Sequence, residues 1–127
     1  MYQLNDLLYL MQRLRDPQTG CPWDLKQNFA SIVPHTLEEA YEVADAIERN
    51  DFEQLPGELG DLLFQVVYYS QLAAEEGRFG FAEVVDSITR KLLRRHPHVF
   101  PAGDLRAVAD AQSLAEAEVK QRWEELK

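Results

Sequence analysis

The sequence predicts an all-α bundle of four to five helices, and three observations carry that expectation. No stretch alternates apolar and polar residues over a useful strand length. Apolar residues recur instead at i, i+3, i+4 and i+7. Prolines, glycines and Thr/Ser-x-x-Glu pairs punctuate the chain where such stripes begin and end. The chain has 127 residues, 46% of them hydrophobic, and is expected to form one domain over residues 1–127 with a modest core.

Leu4, Leu7, Leu8, Met11 and Leu14 form the apolar stripe of a first helix ending near Arg15. The segment from Asp16 through Gly20-Cys21-Pro22-Trp23-Asp24 is predicted as an ordered loop, because its prolines and glycine break helical pattern. It extends about twenty residues, to Pro34, and loops of that length in compact domains often carry function. Trp23 is expected to anchor it against the core. Thr36 and Glu39 form a Thr-x-x-Glu box that would open the second helix. In that helix Leu37, Ala40, Val43, Ala44 and Ile47 share one arc. Glu38, Glu42 and Asp45 gather opposite, with Glu39 at the border, and Asn50-Asp51 closes the helix. Pro56 suits the first turn of a third helix, which should stop at Gly77. Its leucines, valines and tyrosines surround the axis, the pattern of a buried central helix. A fourth helix is expected from Phe81 to Arg95, broken by His96-Pro97. Ser113 and Glu116 would cap a last one running through Trp123 to Lys127.

The charge balance excludes several classes of protein. A formal net charge of −9 argues against a duplex nucleic-acid binder. It leaves room for a phosphorylated small molecule, since a bound cation inverts the local field. No apolar run has the length of a membrane span, and the first residues lack a basic region followed by an apolar block. A single cysteine, Cys21, forms no intrachain disulfide and has no basic neighbour in sequence to activate it, consistent with a reducing, cytoplasmic setting.

Two acidic blocks stand out: Glu38-Glu39-x-x-Glu42, then fifteen intervening residues, then Glu58-x-x-Asp61. Each places carboxylates one helical turn apart, where they repel one another more strongly as the local dielectric falls. Glu58 and Asp61 lie among apolar residues, and isolated buried carboxylates are costly unless neutralised. Two helices presenting Glu39, Glu42, Glu58 and Asp61 to each other would hold one or two divalent cations. Oxygen-only ligands select a hard ion, Mg²⁺ or its substitute Mn²⁺. A di-iron bundle is disfavoured, because no histidine follows any of these glutamates at i+3. Such a centre suits phosphoryl chemistry, with basic groups on the far side of the phosphates. Lys91 and Arg95, four apart on one helix, are the candidates, and the indole of Trp123 would stack on a base.

These blocks, with Leu10-Met11-Gln12-Arg13-Leu14-Arg15-Asp16-Pro17, Gly20-Cys21-Pro22-Trp23-Asp24 and Arg95-His96-Pro97-His98-Val99-Phe100, resemble the MazG family of all-α nucleoside triphosphate pyrophosphohydrolases, over nearly the whole length. The resemblance implies Mg²⁺-dependent hydrolysis between the α and β phosphates, giving a monophosphate and pyrophosphate, and assembly into dimers or tetramers. By position it makes Glu39, Glu42, Glu58 and Asp61 the metal ligands. Lys91, Arg95, Trp123 and Lys127 become the nucleotide contacts. Glu38, in the stretch that meets the nucleotide, becomes the candidate proton acceptor. The loop motifs are similar to the first copy in members that carry two such domains. Two other readings remain: a regulatory domain that binds nucleotide without cleaving it, and an acidic module for a basic partner. Glu48, Glu75, Glu76, Glu124 and Glu125 are assigned to solvent.

Overall fold

The computed structural model describes residues 1–109 and 116–126, and among them it is helical with no strand. It divides into two compact units, Met1–Phe81 and Ala82–Lys127. The first unit contains α1 (Leu4–Leu14), α2 (Pro22–Leu25), α3 (Phe29–Glu48) and α4 (Leu55–Glu75). α5 (Phe81–Arg95) begins at the boundary and leads to a 3₁₀ turn at Pro101–Gly103 and then α6 (Glu116–Glu125). The Ser113 end of the expected last capping box lies outside the described residues, as does Lys127.

The core of the first unit is small and well defined. Met11, Ile32, Val67, Tyr68 and Leu72 are buried together, with Leu7, Leu8, Leu14, Phe29, Phe64, Tyr69 and Phe81 packed around them. α4 supplies most of it, packing on both α3 and α1. Tyr68 meets Phe64 edge-on, and Phe29 lies parallel to Tyr69.

The segment between the first two long helices is shorter and more ordered than its composition suggests. Pro22 opens the short helix α2, and α3 already begins at Phe29. The cap of α3 is Asn28, whose Oδ1 accepts from the Ser31 N–H at 2.8 Å while Ser31 Oγ accepts from the Asn28 N–H at 2.9 Å. The predicted Thr36/Glu39 box is therefore not a helix start, and Pro34 sits inside the helix. Proline lacks the N–H that would bond the Ala30 carbonyl, a local weakness the flanking turns absorb.

The buried face of α3 also differs from the apolar arc expected for it. Ile32 and Ala46 are buried, with Thr36, Glu39 and Val43 half-buried between them, whereas Leu37 is 57% exposed and Ile47 48%. The apolar arc expected through Leu37 and Ile47 faces solvent, and Glu39 lies in the buried stripe rather than at its edge.

The helical hairpin joining α3 to α4 turns at Asn50, which has φ 56°, and Asp51 N–H donates to the Ala46 carbonyl at 2.8 Å. Pro56 stands in the first turn of α4, and Gly77, at φ 70°, follows its end, as expected. α4 is not buried on all sides. Its second half supplies Gln65, Val67, Tyr68, Ser70, Leu72 and Ala73 to the interior, whereas Leu59, Leu63 and Val66 are exposed. One chain covers only one face of this helix.

Trp23 does not anchor the loop. Its ring is 52% exposed and meets His35 edge-on at 5.7 Å, while the next residue, Asp24, is 7% exposed. Tyr68 Oη donates to Asp24 Oδ1 at 2.9 Å, and Arg15 donates to the carbonyls of both Asp24 and Gln27. Arg15 also forms a two-pronged ion pair with Glu75, whose carboxyl it holds below the usual glutamate range. Glu75 is thus a structural partner, not the solvent-facing acid the sequence pattern implied. Gly20 makes the tight approach: a β-carbon there would stand 2.4 Å from the Leu14 carbonyl oxygen. No helix among the described residues is long and apolar enough to cross a membrane.

Candidate metal centre

Carboxylate oxygens of Glu39, Glu58 and Asp61 all lie within 4.8 Å of one another. Glu39 comes from the middle of α3, and the other two come from successive turns at the start of α4, so the hairpin itself creates the convergence. Glu39 and Glu58 are half-buried and Asp61 is exposed. Partial burial disfavours the charged form of Glu39. The negative charges of Asp61, Glu38, Glu58 and Glu42 add to it, and its pKa is raised.

That shift sets the sign of Glu39's own contribution to the pH dependence of stability. A carboxyl whose folded pKa lies above its unfolded one contributes stability fully present below the unfolded value and lost as pH rises through the folded value. From the ordinary glutamate range upward Glu39 withdraws stability from the metal-free protein, opposite in sign to Glu75 and Asp16, and Mg²⁺ is expected to restore progressively more of it as protons cease to compete. Urea titrations across pH, with and without Mg²⁺, check this: a Mg²⁺ benefit that shrinks as pH rises would contradict it.

The donor set fits a hard divalent cation. Two oxygens on one Mg²⁺ at about 2.1 Å each stand at most about 4.2 Å apart. A cluster within 4.8 Å therefore closes on one ion with small side-chain rotations. No histidine or cysteine joins the cluster among the described residues, which disfavours zinc. Glu42, the fourth acid expected as a ligand, is exposed and not part of this group, though it is near enough to raise Glu39. Glu38 is likewise exposed beside the cluster.

In the second unit, the guanidinium carbon of Arg95 sits 4.8 Å from the centroid of the Trp123 ring. This cation–π contact places one of the expected phosphate-binding groups on the expected base-stacking ring. Arg95 Nε is buried with no hydrogen-bond partner among the described residues, leaving a desolvated donor. Lys91 is half-buried one turn earlier on α5. Sequence reasoning missed the exposure of Trp23. The signal that could have found it is Asp24, a polar residue beside it able to take over the anchoring.

The MazG nucleotide pyrophosphohydrolase domain matches residues 27–100. The chain is 58% identical over 127 residues to the nucleoside triphosphate pyrophosphohydrolase of Escherichia coli K12, covering all of this chain and 45% of that protein. It is 44% identical over 95 residues to the nucleoside triphosphate pyrophosphohydrolase/pyrophosphatase MazG of Thermotoga maritima, covering 75% of this chain and 37% of the other. The chain thus spans about half the length, or less, of these curated relatives. The crystal structure of a MazG-related protein from Thermotoga maritima shares the fold, with a TM-score of 0.75 over 96% of each chain at 24% identity. The chain belongs to the MazG nucleotide pyrophosphohydrolase domain family.

Proposed function

We propose that residues 1–127 act as one MazG-like domain that hydrolyses nucleoside triphosphates between the α and β phosphates, with Mg²⁺ as the preferred ion and Mn²⁺ as a substitute. The observation that carries this reading is the convergence of Glu39, Glu58 and Asp61 at the head of the α3–α4 hairpin. Family membership and the names of the relatives support the substrate class. When bound, the ion supplies charge neutralisation for the phosphates and lowers the pKa of an attacking water.

The protein's own groups have distinct tasks. Glu39, Glu58 and Asp61 hold the ion, with Glu42 joining as a fourth ligand. Glu38 accepts the proton as water adds and the Pα–O–Pβ bridge breaks, releasing monophosphate and pyrophosphate. Lys91, Arg95 and Lys127 balance the remaining phosphate charge, and Trp123 offers a flat face to the base. Val33, Leu37 and Tyr41 on α3 and Leu59, Leu63 and Val66 on α4 are exposed apolar groups, and they support assembly into a homodimer or homotetramer. The setting proposed is the cytoplasm.

Incubation with each of the common nucleoside triphosphates and Mg²⁺, followed by measurement of pyrophosphate, tests the reading directly. Release of monophosphate and pyrophosphate in equal amounts is expected. Orthophosphate as the first product would contradict α–β cleavage. Nucleotide-dependent thermal stabilisation without product would indicate a regulatory domain instead.

A further inference from the structure

One turn below the carboxylates, the same two helices share a second polar node. Thr36 Oγ1 stands 2.5 Å from Tyr69 Oη, 3.1 Å from Gln65 Oε1 and 3.2 Å from the Ile32 carbonyl. Gln65 is buried, and Thr36 and Tyr69 are half-buried. Thr36 precedes Glu39 by three residues on α3, and Gln65 follows Asp61 by four on α4. The polar node and the acidic cluster are therefore adjacent rungs between the two helices.

A hydroxyl has one hydrogen, so these three contacts constrain one another. Tyr69 donates to Thr36, and Thr36 donates either to Gln65 or to the Ile32 carbonyl. Each arrangement engages side chains of both helices and works only at this alignment. The contacts on the core side of the node, such as Phe29 against Tyr69, are apolar and tolerate sliding far better, because hydrophobic contact is non-directional. Two influences act against the alignment. Pro34 removes a backbone bond just before Thr36, and the repulsion among Glu39, Glu58 and Asp61 pushes α3 and α4 apart next to the node.

We propose that Thr36, with Gln65 and Tyr69, is a positioning device that fixes the alignment of α3 against α4 and so holds Glu39 opposite Glu58 and Asp61 before the ion arrives. This rests on the reading of those three acids as the metal site. None of the three node residues touches the ion; they act through Glu39.

The test is calorimetric titration of Mn²⁺ into wild type, Thr36→Val and Thr36→Ser, at a temperature where circular dichroism shows each fully folded. Thr36→Val keeps the shape and removes the hydroxyl, and it is expected to raise Kd about tenfold, the lower end for outer-shell changes. Thr36→Ser restores the hydroxyl and should bind as wild type does. Tyr69→Phe, which removes a single donor, is expected to weaken binding in the same direction and decides the matter should Thr36→Val not fold. A merely structural role predicts lower melting temperatures with unchanged Kd in the folded proteins, and that result overturns the proposal. If wild type itself takes up no Mn²⁺, the reading of the acids fails as well; if wild type binds and Thr36→Val binds equally, only the positioning role fails.

Discussion

Asp61→Asn and Glu58→Gln are each expected to cut pyrophosphate release at least about a hundredfold, by removing a charged ligand from the ion, while helical circular dichroism is retained. The same substitutions should have the opposite effect on the metal-free fold. Each removes a negative charge from a group that raises the pKa of Glu39, so the variant is expected to be more stable than wild type near neutral pH without Mg²⁺. It should then gain little when Mg²⁺ is added. Opposite signs for activity and stability mark a site maintained against the preference of the fold. Glu42→Gln is expected to lower turnover too, as the fourth ligand. Wild-type-like turnover in Asp61→Asn would refute the assignment, whatever its stability. A surface role for these acids predicts no change in either quantity.

The largest loss of stability is expected from Tyr68→Ala. Tyr68 is among the largest fully buried side chains, packed against Phe64, and truncating a buried aromatic of this kind costs about 3–5 kcal/mol. Its phenol bonds Asp24 through both the side chain and the carbonyl, at 2.9 and 3.1 Å. Burial first, then the bond to Asp24, holds that phenol protonated far above its ordinary range, so it acts as a fixed donor. Tyr68→Phe keeps the ring but strands the buried Asp24 carboxylate, a change worth about 1–3 kcal/mol. Urea midpoints at constant slope measure both. A loss for Tyr68→Ala less than twice that for Tyr68→Phe would mean that packing contributes less than the hydrogen bond.

Much of the architecture was legible because helix signals are local. Pro56 and Gly77 bracket α4 as their backbone preferences require, and α5 occupies the residues its periodicity indicated. The start of α3 was not legible, because a proline normally signals a boundary. Here the reciprocal Asn28–Ser31 cap opens the helix upstream and carries it through Pro34. Within the stretch after Thr36 the apolar residues share the arc of Leu37 and Ile47, whereas Ile32, upstream of it, lies on the buried stripe that takes in Glu39. The two acidic blocks were visible in the spacing. Which acids converge depends on how α3 and α4 face each other, a long-range property that brings Glu39 to Glu58 and Asp61, with Glu42 exposed beside them. The partnership of Arg15 with Glu75 spans 60 residues and carries no sequence signature at all.

The clamp of Arg15, Asp24 and Tyr68 and the acidic triad of Glu39, Glu58 and Asp61 are built from different side chains and share no hydrogen-bond partner among the described residues. Loss of the clamp and loss of a carboxylate ought to combine additively, the behaviour of sites that share no partner. A chain built this way can vary its loop without disturbing the acids that its hairpin brings together.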